Sequence, residues 1–296
     1  MSALINPAPV GREPAEPISH WRMVWRRLRR NRLAMFGTVV ILLLVVCAVL
    51  APVIAPHDPV LVNPKTRLMT PGMPYVLGTD EFGRDVLSRI IYGTQISLKV
   101  GVISVGIALA AGVSLGLISG YYGGWIDHLV SRVMDVFFAF PAILLAIAIM
   151  AVLGSNLTNV MIAIGIVYTP GFARVTRSAV ISVRRSEYVE AAQALGATDL
   201  TIIVRHILPN SMAPIIVQTT LSLGFAILAE AALSFLGLGT EPPTPSWGLM
   251  LSTGRGFMET APWVAIFPGL AIVLAVLSFN LLGDGLRDSL DPRLKE

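Results

Sequence analysis

Charged residues are scarce in this chain of 296 residues, and their scarcity excludes an ordinary soluble domain. Asp, Glu, Lys and Arg make up 14% of the sequence, against about 25% in typical globular proteins, while 54% of the residues are hydrophobic and the mean hydropathy is +0.73. So few charges could not cover a water-exposed surface, so the composition indicates a membrane protein. Five long segments carry no charge: those between Arg32 and Asp58, Lys99 and Asp127, Asp135 and Arg174, Arg205 and Glu230, and Glu259 and Asp284.

Residues that carry catalysis, metal binding or nucleotide binding are equally sparse. The single cysteine, Cys47, excludes a disulfide within the chain and a site with several thiolate ligands. None of the three lysines follows a glycine, so the chain lacks the Gly-Lys-Ser/Thr ending of a P-loop. The histidines are scattered over separate segments, at His20, His57, His128 and His206. We therefore expect no enzymatic activity, no metal site and no cofactor on this chain, and nothing in it suggests a nucleic-acid partner.

Six membrane-spanning helices follow from the apolar segments. A helix needs about 20 apolar residues to cross a bilayer, and the uncharged segment 136–173 is too long for one crossing at about 1.5 Å per residue. Because the turn-forming cluster Gly154-Ser155-Asn156 interrupts that segment, we predict two spans joined as a hairpin. The predicted spans cover residues 34–55, 96–118, 129–153, 157–172, 211–237 and 263–282. The predicted fold class is an all-α polytopic membrane protein.

The distribution of Lys and Arg predicts how these spans are oriented. With the amino terminus in the cytoplasm, 16 of the 22 basic residues fall on the cytoplasmic side, as membrane proteins favour. Both termini are then cytoplasmic. The predicted segments are a basic cytoplasmic amino-terminal segment (1–33), the first transmembrane helix (34–56), an extracytoplasmic segment (57–95), a five-helix core (96–283) and a cytoplasmic tail (284–296).

The extracytoplasmic segment is predicted to contain a short amphipathic helix. Its i,i+4 pairs Asp80–Arg84 and Asp85–Arg89 have the favourable orientation for a helix. Apolar residues beside them form a stripe that would lie along the bilayer surface.

The longest cytoplasmic loop, residues 173–210, is predicted to form a bent helical knob. Its alanine-rich part, which includes Glu190, Ala191 and Ala192, favours a helix. Gly196 can adopt the left-handed conformation that ends this helix, and Thr198 or Asp199 can cap a second one. Small side chains on the first helix would let the backbone of another protein approach closely.

The same loop resembles the signature of permease subunits of bacterial ATP-binding-cassette importers. The family pattern is Glu-Ala-Ala, three residues, Gly, nine residues and Ile-x-Leu-Pro; here His206 stands where the pattern has Ile, and Ile207 follows it. The matching residues are Glu190, Ala191, Ala192, Gly196, Leu208 and Pro209. Segments such as Gly78–Arg89, Gly120–Gly124 and Glu241–Gly248 are similar to the C-type permease of the dipeptide, oligopeptide, glutathione and nickel importer group. The resemblance runs from about Trp21 to the carboxyl terminus.

This resemblance implies a type I importer permease fold with six transmembrane helices in the bacterial cytoplasmic (inner) membrane. It implies that the loop docks on an ATPase subunit and that ATP and Mg are bound by the partners. The implied partners are a homologous permease, two ATP-binding subunits, an extracytoplasmic solute-binding protein and the lipid bilayer. The implied solute is a short peptide, with glutathione or a nickel chelate as alternatives. A secondary carrier and a non-transporting membrane assembly protein are the alternatives from other classes.

Three further residues are candidates for the solute route. Glu230 is the one carboxylate deep in a predicted span, so it either lines the translocation path or bonds to a neighbouring helix. Ser246 and Trp247 follow the stiff, proline-rich start of the loop 238–262. That loop suits an outer gate or a contact for a binding protein, and a plain connector is the alternative.

Overall fold

The computed structural model describes residues 20–290. Of the predicted amino-terminal segment and the predicted tail, residues 1–19 and 291–296 lie outside the described residues. The described part is helical, with one isolated β-bridge between Thr79 and Asp85 and no β-strand. The α-helices are α1 (His20–Arg30), α2 (Arg32–Ile54), α3 (Val86–Tyr122), α4 (Gly124–Phe138), α5 (Ala142–Leu153), α6 (Leu157–Arg184), α7 (Glu187–Ala194), α8 (Asp199–Ile202), α9 (Leu208–Asn210), α10 (Met212–Phe235), α11 (Trp247–Gly254) and α12 (Trp263–Leu290).

Four of these helices are long and apolar enough to cross a membrane: α2, α3, α10 and α12. The pair α4 and α5 passes the same test together and counts as a fifth span if the two are one broken crossing. The all-α polytopic fold is thus confirmed. The predicted span 157–172 is the first part of the 28-residue helix α6, and its crossing of the membrane stays a prediction.

The predicted third span, 129–153, is not one straight helix. The chain bends by 92° between α4 and α5. Pro141 lies at this bend with φ −56° and ψ 130°, an extended rather than a helical conformation. Because proline has no backbone N–H to donate to the preceding turn, the helix ends before it and a new one starts after it.

Helices α3 and α6 pack closely because glycines recur every four residues on α3. A Cβ added to Gly112 would lie 2.4 Å from the Cβ of Phe172, and one added to Gly116 would lie 2.6 Å from the Cβ of Thr176. Gly120 continues the row toward the end of α3. Such small-residue rows allow the close backbone approach that holds helices together in a bilayer.

The carbonyl of Ala48 shows how α2 is fastened to the core. Pro52 lies inside α2 and has no N–H for the carbonyl four residues before it. The side chain of Gln95 on α3 donates to that carbonyl, Nε2 to O, at 2.6 Å. An unsatisfied carbonyl is costly in a bilayer. This bond supplies the donor that Pro52 lacks, and it also joins α2 to α3.

Gln95→Leu is therefore expected to lower the free energy of unfolding of the full chain in detergent by about 1 kcal/mol. In a Pro52→Ala background, the backbone N–H gained at position 52 can bond to the Ala48 carbonyl, so the cost of Gln95→Leu should fall toward zero. An SDS-unfolding titration of the two single variants and the double variant checks this coupling. Equal costs in both backgrounds would contradict the repair role of Gln95.

The predicted amphipathic helix in the segment 57–95 is corrected by the structure. Asp80 and Arg84 pair at 2.6 Å, Oδ2 to Nε, but within a loop and not on a helix. Asp85 caps α3 by accepting from the Ser88 N–H at 2.9 Å, and residues from Val86 onward form the first turns of α3 itself. The spacing of the charges suggested a helix that includes Asp80. The helix begins only after Asp85, whose carboxylate caps it.

Candidate functional site

The segment with the signature motif folds as two short helices joined by a tight turn. α7 ends in a Schellman turn, in which the Ala197 N–H bonds to the Ala192 carbonyl at 3.1 Å and the Gly196 N–H to the Gln193 carbonyl at 2.9 Å. Gly196 has φ +79°, the left-handed conformation that glycine adopts without strain. Thr198 then caps α8 with its side chain. The geometry of this turn follows directly from the position of the glycine.

One side of this segment is packed against the ends of α3 and α6. Val189 and Ile202 are buried in a cluster that also holds Tyr121 of α3 and Val180 of α6. The Tyr121 hydroxyl donates to Asp199 Oδ1 at 2.7 Å. These contacts attach the segment to the ends of both long helices.

The other side of the segment is exposed and carries much of the signature. Glu190, Ala191 and Gly196 are all exposed. Beside them, the side chain of Leu195 is 88% exposed and that of Leu200 is 71% exposed. Large apolar groups on a water-facing segment are typical of a surface that another protein covers.

The last residues of the signature lie apart from the exposed side, in α9 just before α10. Leu208 is half-buried and Pro209 exposed, both in α9. The residues before them form a π-helical turn, Ile203–Ile207. This wider turn leaves His206 half-buried and places Ile207 fully in the core, so the shift of Ile by one position relative to the family pattern is absorbed locally.

Gly196→Ala is expected to speed amide hydrogen exchange in α7 about fivefold, because a Cβ in the left-handed conformation costs about 1 kcal/mol. A Cβ at this position would touch nothing within 4 Å, so the effect tests backbone strain alone. Gly256→Ala is the matched control, since Gly256 has neither a positive φ nor a close neighbour. The two variants behaving alike would contradict the role of the turn.

Glu230 lies in α10 with no exposed surface. Its carboxylate accepts from the Ser234 hydroxyl at 2.7 Å and from the Ser97 hydroxyl of α3 at 3.5 Å. Ser246, just before α11, also hydrogen-bonds to it. The structure thus brings two separately predicted residues, Glu230 and Ser246, into one polar cluster that joins α3, α10 and α11.

Ser246 and Trp247 form the start of α11 and are both fully buried. The Ser246 hydroxyl accepts from the Leu249 N–H at 3.2 Å and caps the helix. The Trp247 ring lies against Gly93 of α3, and its Nε1 donates to the Ile90 carbonyl at 3.0 Å. In this conformation, the tryptophan holds α11 against the first turns of α3.

A buried ionic cluster joins the segment before α3 to the loop before α11. Arg89 Nε lies 3.5 Å from Asp80 Oδ2, and its Nη1 donates to the carbonyls of Pro59 and Pro243 at 2.9 and 3.4 Å. The sequence spacing predicted that Arg89 pairs with Asp85. In the structure Arg89 pairs with Asp80 instead. Burial raises the pKa of Glu81, beside this cluster, above its ordinary value.

Sequence reasoning missed a polar site between α6 and α10, formed by the half-buried Tyr168 and Gln218 and the buried Ser222. The Gln218 side chain donates from Nε2 to Ser222 Oγ at 3.2 Å, and the Tyr168 hydroxyl donates to the Phe225 carbonyl at 3.1 Å. These residues border two adjoining cavities of about 250 and 220 Å³ that are otherwise lined by apolar and aromatic groups. The i,i+4 spacing of Gln218 and Ser222 in an apolar helix is the signal that could have revealed them.

A serine within a Gly-x-Ser-x-Gly pattern, Ser114, is not a nucleophile. It lies within α3, and its hydroxyl donates to the Ala110 carbonyl at 2.7 Å. The nucleophile of this motif needs a sharp strand-to-helix turn, which a continuous helix does not provide.

Comparison with protein families gives two matches. Residues 112–296 match the family of binding-protein-dependent transport system inner membrane components. Residues 19–71 match the N-terminal transmembrane domain of oligopeptide transport permease C. The two matches together cover the signature segment, Glu230 and the first span.

The chain is similar to curated permeases over nearly the whole length of both proteins. The chain is 50% identical over 295 residues to the dipeptide transport system permease protein DppC of Alkalihalophilus pseudofirmus, covering 99% of this chain and 97% of that protein. It is 48% identical over 294 residues to the glutathione transport system permease protein GsiD of Shigella boydii, with the same coverage. Among solved structures, an inward-facing MetNI methionine ABC transporter chain matches with a TM-score of 0.57 at 18% identity, covering 69% of this chain and 97% of that one. This structural likeness identifies the fold.

Proposed function

Because the chain belongs to the family of binding-protein-dependent transport system inner membrane components, we propose that it is a solute-conducting subunit of an ATP-driven importer of short peptides. The observation that carries this proposal is the signature segment, which is packed against α3 and α6 on one side and exposes apolar side chains on the other. A segment of this kind is suited to receive force from a partner and pass it to the spanning helices.

The exposed residues Glu190, Ala191 and Gly196 contact an ATP-binding subunit in this proposal. That subunit binds ATP and Mg and hydrolyses the nucleotide, while this chain contributes no catalytic group. Leu208 and Pro209 connect the segment to α10, and Ala192 lies at the turn. Two ATP-binding subunits, one for each of two homologous permeases, complete the motor.

The face around Tyr168, Gln218 and Ser222 forms half of the solute route. These neutral groups can donate to and accept from peptide amides, and the cavity that they border offers space for a solute beside a homologous permease. Lipid tails offer no hydrogen bonds to such groups, so a polar route between two permeases suits them better than the bilayer does.

Glu230, Ser246 and Trp247 act together in closing the outer side. The three hydroxyl groups around Glu230 support a structural role for this carboxylate over a place in the solute path. Opening toward the outside would then require α11 to move relative to α3. An extracytoplasmic binding protein would deliver solute to this side.

The amino and carboxyl termini face the cytoplasm in this proposal, and the chain spans the bacterial inner membrane several times. The segments 1–33, 34–56, 57–95, 96–283 and 284–296 then serve as cytoplasmic anchor, first span, outer segment, transport core and tail. The excess of Lys and Arg on the cytoplasmic side supports this orientation.

The names of the relatives support two solute classes. Short peptides are proposed first, because one relative is a dipeptide permease and the amino-terminal family model is that of oligopeptide permeases. Glutathione is the second candidate, because permeases of similar identity carry that name.

Uptake by the assembled transporter in proteoliposomes tests both the mechanism and the solute. We expect ATP-dependent accumulation of a labelled dipeptide when the binding protein is present, and weaker accumulation of glutathione. If glutathione accumulates more strongly than the dipeptide, glutathione becomes the proposed solute in place of short peptides. Accumulation that persists without ATP or without the ATP-binding subunits would overturn the proposed importer and favour a secondary carrier.

A further inference from the structure

Helix α1 buries one face and exposes the opposite one. Val24 and Leu28 are 6% and 5% exposed, whereas Arg26, Arg29 and Arg30 are exposed. At about 100° per residue, Arg29 and Arg30 lie within about 60° of Arg26, and the two buried residues lie roughly opposite. The helix thus presents a row of guanidinium groups away from the protein core.

The buried face of α1 is held firmly by α12. A Cβ added to Gly285 of α12 would lie 3.3 Å from Cδ1 of Leu28 in α1 and would clash with the Cβ of Ala34 at the start of α2. This close contact positions α1 against α12, so the arginines of α1 lie on a packed helix.

The charges of this arginine face form no ion pair within the part of the chain that the structure describes. None of the ion pairs found among residues 24–290 includes Arg26, Arg29 or Arg30. Asp284 and Asp288, on the end of α12 that packs near α1, are exposed and form no ion pair with them.

The arginine face lies where the first span leaves the membrane. A single residue, Asn31, separates α1 from α2, whose early residues Leu33 and Phe36 are 64% and 49% exposed and suited to lipid. Trp25 is 47% exposed, and the Arg29 guanidinium lies 4.7 Å from its ring centroid. Tryptophan prefers the membrane–water interface, so the arginines are at the level of the lipid headgroups.

We propose that Arg26, Arg29 and Arg30 form a binding face for the phosphate groups of anionic phospholipids. A guanidinium group can donate two hydrogen bonds to one phosphate, and three of them on one rigid face favour a negatively charged headgroup over a zwitterionic one. This face anchors the start of the first span and makes the protein sensitive to the charge of its membrane. The inference depends neither on the proposed solute nor on which side of the membrane the termini face.

The test uses the full chain in vesicles of phosphatidylcholine that carry a minority of phosphatidylglycerol in both leaflets. Spin-labelled phosphatidylglycerol and phosphatidylcholine report the preference of the protein for each lipid. The variant Arg26→Gln/Arg30→Gln is expected to lower the preference for phosphatidylglycerol about fivefold for each arginine at low ionic strength. Arg26→Lys/Arg30→Lys should retain most of the preference, and added salt should weaken the preference of the unchanged chain.

The matched control is Arg185→Gln/Arg205→Gln, which removes two exposed arginines outside α1. This control should keep the preference for phosphatidylglycerol. An equal loss of the preference for phosphatidylglycerol in both double variants would show that the preference depends only on net charge, and it would overturn the proposed face. Unchanged lipid preference in Arg26→Gln/Arg30→Gln would also overturn it, and loss of ATP-binding subunits from that variant would identify a protein-docking face instead.

Discussion

Ala191→Trp is expected to lower ATP-driven solute uptake by the assembled transporter at least tenfold, equivalent to about 1.4 kcal/mol of coupling free energy. Ala191 is exposed and belongs to the side of α7 that faces away from α3 and α6. An indole on that side would keep the ATP-binding subunit at a distance. Uptake and ATP hydrolysis measured on the same proteoliposomes check the result.

The fold of the chain should survive this substitution, because the larger side chain enters open space. Replacing alanine by tryptophan in a helix costs only about 0.5 kcal/mol of intrinsic propensity. Asp288→Trp is the control, since Asp288 is exposed at the end of α12 and lies outside the signature. Normal uptake by Ala191→Trp would show that this side of α7 does not contact the motor.

Glu230→Ala is expected to lower the free energy of unfolding by about 3 kcal/mol, because it removes the acceptor for buried hydroxyl groups. Ser97 and Ser234 would lose their bonds to the carboxylate, and Ser246 would lose its bond from α11. Glu230→Gln keeps an acceptor oxygen at the same place and should cost about 1 kcal/mol. SDS unfolding of the full chain in detergent measures both changes.

Glu241→Ala is the control for this series, because Glu241 is exposed in the outer loop and should change stability by less than about 0.5 kcal/mol. The structural role of Glu230 also predicts that Glu230→Gln retains the solute preference of the transporter. A variant as stable as the unchanged chain but with an altered solute preference would place Glu230 in the translocation path.

The all-helical class and most spans could be predicted because apolar length is a local property. The gaps between charges located α2 and α10 to within about two residues and located the start of α12 at Trp263, although α12 continues to Leu290, beyond the predicted end at residue 282. The end of α7 was equally predictable, since a glycine in the left-handed conformation is a local requirement that the sequence displays at Gly196.

The break between α4 and α5 and the start of α3 were harder to predict. Pro141 cannot continue a helix, but the size of the bend, 92°, depends on which helices pack on each side. At the outer segment, Asp80 and Asp85 each had an arginine four residues later. Which arginine each carboxylate meets was decided by long-range contacts, since Arg89 reaches both Asp80 and the carbonyl of Pro243.

The polar cluster at Glu230 depended even more on tertiary structure. Ser234 lies four residues after Glu230 on α10, a spacing that the sequence shows, but Ser97 lies on α3 and Ser246 just before α11, with no sequence pattern that links them to Glu230. Their meeting follows only from the packing of α3, α10 and α11. Sequence reasoning could therefore place Glu230 in a span but could not choose its partners.

Site-directed cross-linking from Leu195 tests most directly whether the signature segment contacts the motor in the cytoplasm. In a Cys47→Ser background, Leu195→Cys and Met73→Cys place reactive thiols at two positions that are both 88% exposed. We expect Leu195→Cys to cross-link to an ATP-binding subunit and to resist membrane-impermeant reagents added outside the cell, and Met73→Cys to show the opposite pattern. Labelling of Leu195→Cys from outside, or its failure to cross-link to any ATP-binding subunit, would contradict the proposed coupling role.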